Sequence, residues 1–226
     1  MSASVLAREI EEGEQRLVLS GIGWDQYVTI NDAFPERRGL RMIYIDGSLT
    51  FLTLSLRHDW RAECLGMIVT SVAFGCGMEW EVAGSATFRL QELNVGVEGD
   101  RTYYFGAHAE RMRGPQDIDL TTQPPPDLAI EVEVTHPATH SMAVYGRLGV
   151  PEVWRLDARR RTLAFLVLGE GGAYHPAARS RGLPLLGPED VLDQLRLAEE
   201  LGLSSRWFAQ LTNWIRDTLL PRAGGG

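Results

Sequence analysis

The chain has 226 residues and a formal net charge of −8 at pH 7, with 44% hydrophobic and 23% charged residues. This is the composition of an ordinary soluble globular domain, and it excludes disordered, collagen-like and disulfide-scaffold proteins. No apolar run reaches the ~18 residues of a membrane helix, and the polar start lacks the apolar segment of a signal peptide. We therefore expect a cytoplasmic protein that does not enter a membrane.

In chain order, the first half alternates short strand and helix patterns. Apolar residues recur with a helical period in the longest of these segments, and Asp46-Gly47 divides two apolar runs as a hairpin turn would. The predicted elements are a strand at 16–21, a helix at 24–34, a hairpin at 40–54, a helix at 58–75, strands at 78–82 and 86–90, and an extended stretch at 96–106.

The second half begins after three consecutive prolines, which a helix cannot cross. The predicted elements are a strand at 127–135, a helix at 141–149, a hairpin at 153–157 and 162–168, and helices at roughly 188–200 and 204–219. Together they predict one α+β (α/β) domain with a mixed sheet and a C-terminal helical arm. The predicted boundaries are a polar segment at 1–15, the domain at 16–186, C-terminal helices at 187–221 and a disordered tail at 222–226.

The basic residues of this chain are all of one type. All 22 are arginine, so the chain has no lysine for a Schiff base, a GK[ST] phosphate loop or general-base catalysis. The two cysteines, Cys64 and Cys76, lie in an apolar stretch and are interpreted as small core residues rather than as a disulfide.

The strand at 127–135 carries acids on one face. Period-two alternation places Leu128, Ile130 and Val132 together, and Asp127, Glu131 and Glu133 on the opposite face. Acids so close together repel one another, and a divalent cation would offset that repulsion because Mg²⁺ and Mn²⁺ prefer carboxylate oxygens. The pattern alone equally fits an edge strand whose acidic face is exposed to water.

Three segments, VGVEGDRTYYF, PPPDLAIEVEVTHP and VYGRLGVPEVWRLD, occur in an order and spacing that resembles the Uma-type proteins of the PD-(D/E)xK restriction-endonuclease-like superfamily. LRMIYIDGSLTFLTLSLRHD resembles the family's early hairpin and first long helix, so the likeness runs from about residue 16 to residue 168. The resemblance implies a mixed sheet flanked by helices. It also implies a Mg²⁺- or Mn²⁺-dependent endonuclease whose substrate is DNA.

Carried over by position, the resemblance implies that Asp100 and Glu131 hold the metal and that Glu133 stands where the family has its lysine. Glu133 could then orient or deprotonate the attacking water, or serve as a further metal ligand. His58 could accept a proton or extend the metal shell, and Asp59 matches an acid that the first helix contributes in many such nucleases. A metal held in this way lowers the pKa of bound water and clamps a phosphoryl oxygen.

Two departures from the family pattern leave open an alternative to an active endonuclease. Gly99 replaces the usual proline, a mild change if that residue only shapes the backbone. The lysine is absent, and Ser141 occupies the helix position where the family often has a displaced lysine. Arginine cannot replace it as a base because it stays protonated. The alternative is a catalytically degenerate domain that binds nucleic acid or protein, and a hydrolase of small phosphorylated ligands is a third interpretation.

Other clusters are less specific. Arg159–Arg161, and a group formed by Arg37, Arg38 and Arg41, could contact phosphates but are more often solvated turns. His136 and His140 flank a proline and are interpreted as loop residues near the site mouth. An apolar stripe on the last helix packs on the domain or on a second copy, and its two tryptophans favour a homodimer through that helix. The stripe comprises Trp207, Phe208, Leu211, Trp214, Ile215 and Leu219.

Overall fold

A computed structural model describes residues 14–34, 39–114, 118–135 and 138–224, and these form eleven strands and six α-helices. The strands are β1 (Arg16–Ser20), β2 (Leu40–Ile45), β3 (Ser48–Thr53), β4 (Trp80–Gly84), β5 (Thr87–Leu90), β6 (Val95–Glu98), β7 (Arg101–Phe105), β8 (Leu128–Glu133), β9 (Glu152–Asp157), β10 (Thr162–Leu168) and β11 (Tyr174–Ala177). The helices are α1 (Trp24–Asp32), α2 (Leu56–Gly75), α3 (Ala107–Arg111), α4 (Thr139–Leu148), α5 (Pro188–Leu201) and α6 (Ser205–Trp214).

The described strands form two sheets. Sheet A has the order β1-β3-β2-β6-β5 and is antiparallel throughout. Sheet B has the order β11-β10-β9-β8-β7-β4 and is mixed, because β8 and β9 are parallel and α4 forms the connection between them. The α+β class with a mixed sheet is therefore confirmed, and sheet A is a second sheet that the periodicity did not separate.

The predicted hairpin at 40–54 is confirmed as β2 and β3. Its two turn residues, Asp46 and Gly47, have positive φ angles of 47° and 83°. Positive φ at both central residues is what a two-residue type I′ turn requires. The turn fixes the register, with Ile45 opposite Ser48.

The predicted extended stretch at 96–106 divides at Gly99 and Asp100. Its first part, β6, pairs with β2 and β5 in sheet A, whereas its second part, β7, pairs with β4 and β8 in sheet B. Strand periodicity cannot show a change of sheet, because side chains alternate in the same way before and after the crossing. The crossing places Asp100 between the two sheets.

Strand β8 is an interior strand of sheet B. It lies between β7 and β9, and its residues from Leu128 to Val132 are buried. Leu128, Ile130 and Val132 pack in the core that includes α2, while Ala129 on the opposite face packs in a separate core. The two predicted faces are confirmed, and the alternative of a water-exposed edge strand is wrong.

The C-terminal helices pack on the same core as α2. Trp207, Leu211, Ile215 and Leu219 are nearly inaccessible to solvent, so one side of the predicted stripe is covered by its own chain. Phe208 remains 43% exposed, and a homodimer through this helix stays a prediction. Residues 220–224, which include part of the expected disordered tail, form a short 3-10 helix whose Arg222 binds Asp190, and residues 225–226 lie outside the described ranges.

Two smaller expectations concern the membrane and the cysteines. Within the described ranges, no helix combines the length and the apolar character needed to cross a membrane. Cys64 is buried in the core and Cys76 is half-buried, and both are free thiols, as predicted.

Candidate active site

A narrow cavity lies between sheet A and strand β8. Its volume is about 40 Å³, enough for a few water molecules, and we call it the inter-sheet cavity. Its walls come from β1, β2 and β3, the start of α2, the β6–β7 turn, β8 and the start of α4. Four of the five predicted site residues line it: His58, Asp100, Glu131 and Glu133. The fifth, Asp59, is 52% exposed and lies beside His58 at the edge of the site.

Asp100 is buried and held by both neighbouring elements. Its Oδ2 accepts a hydrogen bond from the backbone N–H of Val132 at 2.8 Å, which ties the β6–β7 turn to the strand that carries Glu131. The Nε2 of His58 lies 3.1 Å from the same oxygen. The other oxygen, Oδ1, is 3.8 Å from Nε of Arg41, beyond hydrogen-bond distance.

Glu131 is buried and receives two side-chain hydrogen bonds from α4. The Tyr145 hydroxyl donates to Oε1 at 2.6 Å and the Ser141 hydroxyl donates to Oε2 at 3.0 Å. Ser141 and Tyr145 are four residues apart, so they lie one turn apart on the same face of the helix. Burial and the nearby charge of Asp100 nevertheless raise the pKa of Glu131 to about 8, despite these donors and His58.

His58 is positioned by the N-terminus of α2. The Ser55 side chain caps the helix by accepting from the His58 backbone N–H at 3.2 Å, and Nδ1 of His58 lies 3.4 Å from the Asp59 carboxylate. Burial opposes protonation of the ring, but the charge and hydrogen bond of Asp100 outweigh it and raise the pKa of His58 to about 9. His58 is therefore a cation at neutral pH.

Glu133 lies at the border of the cavity. Its Oε1 accepts from the Ala138 backbone N–H at 2.7 Å and is 3.8 Å from Nε of Arg155. Glu133 thus links the end of β8 to the start of α4 through this hydrogen bond. Asp127, also on the acidic face, stands at the entrance of the strand, where it accepts from the Phe105 backbone N–H at 2.8 Å.

A divalent cation fits the Asp100–Glu131 pair. Oδ1 of Asp100 accepts no hydrogen bond from the described residues, and burial together with the charge of Asp100 raises the pKa of Glu131. Among the described residues no three His, Cys, Asp or Glu side chains form a ready metal cluster. Mg²⁺, however, is usually held by one or two protein carboxylates and keeps water in its remaining positions.

Comparison with known proteins identifies the family of this chain. A family model described as "Uma2: Putative restriction endonuclease" matches residues 24–200, well over half of the chain. The chain belongs to the Uma2 family. The resemblance inferred from the three sequence segments is therefore confirmed.

A solved structure supports the fold of this Uma2 protein. The crystal structure of a protein from Anabaena variabilis, described as "a putative nuclease belonging to DUF820", matches with a TM-score of 0.51 and 13% identity. The match covers 75% of this chain and 96% of that chain. At this identity it shows a shared fold. The curated proteins contain no significant match.

Several residues at the cavity were not predicted as parts of the site. Glu98 is buried two residues before Asp100 and accepts from the Thr87 hydroxyl at 3.1 Å. Tyr145 was not predicted as a site residue, although its i, i+4 spacing from Ser141 indicates a shared helix face. Of the sequence candidates, His140 lines the cavity, whereas His136, Arg37 and Arg38 lie outside the described residues.

The lack of a side chain at Gly99 affects packing as well as backbone shape. A Cβ at this position would lie 2.8 Å from the Tyr145 hydroxyl and 2.8 Å from Cγ2 of Thr102. Since Tyr145 is fully buried, it has little room to move away. The glycine therefore allows the close approach of the hydroxyl that donates to Glu131.

We expect Gly99→Ala to lower the free energy of unfolding by about 1–3 kcal/mol, the usual cost of overpacking. Urea unfolding followed by circular dichroism measures it. In a Tyr145→Phe background, Gly99→Ala should cost less than it does in the wild type, because the hydroxyl is removed while the Thr102 contact remains. A loss below about 0.5 kcal/mol in the wild type, or an equal loss in the two backgrounds, would contradict the close-approach argument.

Proposed function

We propose that this Uma2 protein is a divalent-metal-dependent endonuclease that hydrolyses phosphodiester bonds of DNA. The observation that supports this most is the meeting of two acids from different elements at one cavity. Asp100, at the crossing between the sheets, is tied through Oδ2 to the backbone of β8, the strand that carries Glu131. Two buried carboxylates that repel each other are the kind of pair that a divalent cation stabilises.

Asp100 and Glu131 are the residues that would hold Mg²⁺ or Mn²⁺. When bound there, the ion would lower the pKa of a coordinated water and neutralise charge on a phosphoryl oxygen. Tyr145 and Ser141 fix the orientation of the Glu131 carboxylate. The Val132 N–H and His58 do the same for Asp100, since both engage Oδ2 and leave Oδ1 without a hydrogen bond.

The other predicted site residues take supporting roles in this proposal. Both ring nitrogens of His58 face carboxylates, those of Asp59 and Asp100, so in this proposal His58 orients Asp100. Asp59 acts through His58 as a positioning residue. Glu133, at the position of the family's lysine, is the acid that could accept a proton from water near the rim of the cavity.

A specific observation also favours a second candidate, a non-catalytic domain that binds nucleic acid or protein. The chain contains no lysine, and Glu133 stands at the position where the family has one. A site that does not activate water without this lysine would bind without turnover.

Cleavage of plasmid DNA separates the two candidates. Wild-type protein would be incubated with supercoiled plasmid and with single-stranded circular DNA in Mg²⁺, Mn²⁺ or chelator. We expect nicking that requires the metal and stops in chelator. If protein with a folded circular dichroism spectrum cuts neither substrate with either metal, the endonuclease proposal fails and the binding domain is favoured.

A further inference from the structure

The wall of the inter-sheet cavity formed by sheet A carries two arginines in one row. Arg16 on β1 and Arg41 on β2 are both paired in register with Leu52 on the intervening strand β3. Directly paired residues of neighbouring strands point to the same face of a sheet. Strands lie ~4.8 Å apart, so the Cα atoms of the two arginines are separated by about 10 Å. All three side chains line the cavity.

The side chain of Arg41 has a hydrogen-bond donor, Nε, that is not paired with any of the described residues. This nitrogen is buried, and the side chain is 15% exposed. Buried donors in native proteins are normally satisfied, so this N–H is available to an acceptor that a ligand supplies. Asp100 at 3.8 Å supplies charge but no hydrogen bond.

Arg16 is held at the mouth of the cavity. It is exposed, and its Nη2 lies 3.1 Å and 3.2 Å from the two ring nitrogens of His140. Burial, and then the charge of Arg16, lower the pKa of His140, so the ring is neutral and can accept this bond. A guanidinium has five N–H donors, which leaves most of them available to a ligand.

Acids and arginines both line the cavity. The acids are Glu14, Glu98, Asp100, Glu131 and Glu133, and the arginines are Arg16 on β1 and Arg41 on β2. The cavity, at about 40 Å³, is far smaller than a nucleotide pocket. A polyanion can therefore reach the two arginines only from the mouth of the cavity.

We propose that Arg16 and Arg41 bind phosphate groups of a nucleic-acid strand that crosses sheet A at the mouth of the cavity. This inference rests on the proposed function and names the residues that hold its substrate. Arginine forks match phosphate oxygens and stay charged at all working pH values. The two arginines place positive charge on sheet A, whereas β8 carries Glu133 at the position of the family's lysine.

Binding of a fluorescein-labelled single-stranded DNA oligonucleotide tests the pair by fluorescence anisotropy. The parent is Glu131→Gln, so that the DNA is not cut, and each titration is run in chelator and in Mn²⁺. Arg16→Gln and Arg41→Gln are compared with Arg216→Gln, a matched change at an exposed arginine that pairs with the adjacent Asp217. Arg41→Lys keeps the charge and serves as a second variant at the buried position.

We expect Arg16→Gln and Arg41→Gln each to weaken binding about tenfold, and the double variant to weaken it about 100-fold. The slope of log affinity against log salt, measured between about 50 and 200 mM, should fall by about 0.7 for each lost phosphate contact. Arg216→Gln should bind as the parent does, and Arg41→Lys should recover part of the affinity. Because Arg16 is exposed, its variant is expected to fold even if Arg41→Gln does not.

Three results would overturn the inference: a parent that binds no DNA, arginine variants that bind as the parent does, or an equal loss in Arg216→Gln. The proposed hydrolysis is tested separately by plasmid cleavage. Arginine-dependent binding by a protein that never cuts would support the arginine pair and reject the endonuclease. Full cutting by the double arginine variant, with Glu131 intact, would support the endonuclease and reject the pair.

Discussion

Glu131→Gln is expected to reduce metal-dependent DNA cleavage by at least about 100-fold, more than loss of a residue that only supports a metal ligand. Glutamine keeps the shape of the side chain but removes the negative charge that would hold the cation. Its carbonyl oxygen can still accept a hydrogen bond from Tyr145 or Ser141, so the fold should be retained. Nicking of supercoiled plasmid measures the rate, and calorimetric titration with Mn²⁺ measures the affinity.

The matched control is Glu92→Gln, the same chemical change at an exposed acid in the turn before β6. It should cut as the wild type does. Asp100→Asn should resemble Glu131→Gln, whereas Asp59→Asn should have a smaller effect because Asp59 reaches the site only through His58. If Glu131→Gln protein cuts at the wild-type rate, the assignment of this site is wrong, even if the chain proves to be a nuclease.

Trp207→Ala should lower the free energy of unfolding by about 3–5 kcal/mol, the cost of truncating a fully buried large side chain. Trp207 has no solvent exposure and packs in the core shared by α2, sheet B and α5. Its indole N–H donates to the backbone carbonyl oxygen of Gln194 at 3.1 Å, and the substitution removes that hydrogen bond as well. Urea unfolding monitored by circular dichroism gives the value.

The adjacent residue provides the control, because Phe208 is an aromatic on the same helix but is 43% exposed. We expect Phe208→Ala to cost less than about 1 kcal/mol. Equal losses in the two variants would show that the helix does not pack as described. Sedimentation of the wild type and of Phe208→Ala also tests the predicted homodimer, since Phe208 is among the aromatic side chains that the chain leaves exposed on this helix.

Local sequence patterns were enough to predict several features of this fold. The alternation at 127–135 assigned the two faces of β8, and Asp46-Gly47 located the hairpin turn, because both features depend on residues close in sequence. The three family segments were enough to predict the family and the mixed sheet. The lack of lysine is a fact of composition, and it excludes lysine chemistry whatever the fold.

Only the tertiary structure decided what meets at the cavity. Asp100 reaches β8 because the chain changes sheets after Glu98, and Tyr145 reaches Glu131 because Gly99 leaves room for its hydroxyl. Arg16 and Arg41 are 25 positions apart in the printed sequence and become neighbours across β3 through strand register. Periodicity predicts which face of a strand a side chain occupies. Sheet order and strand register decide which distant residues become neighbours, and both depend on the packing of the whole chain.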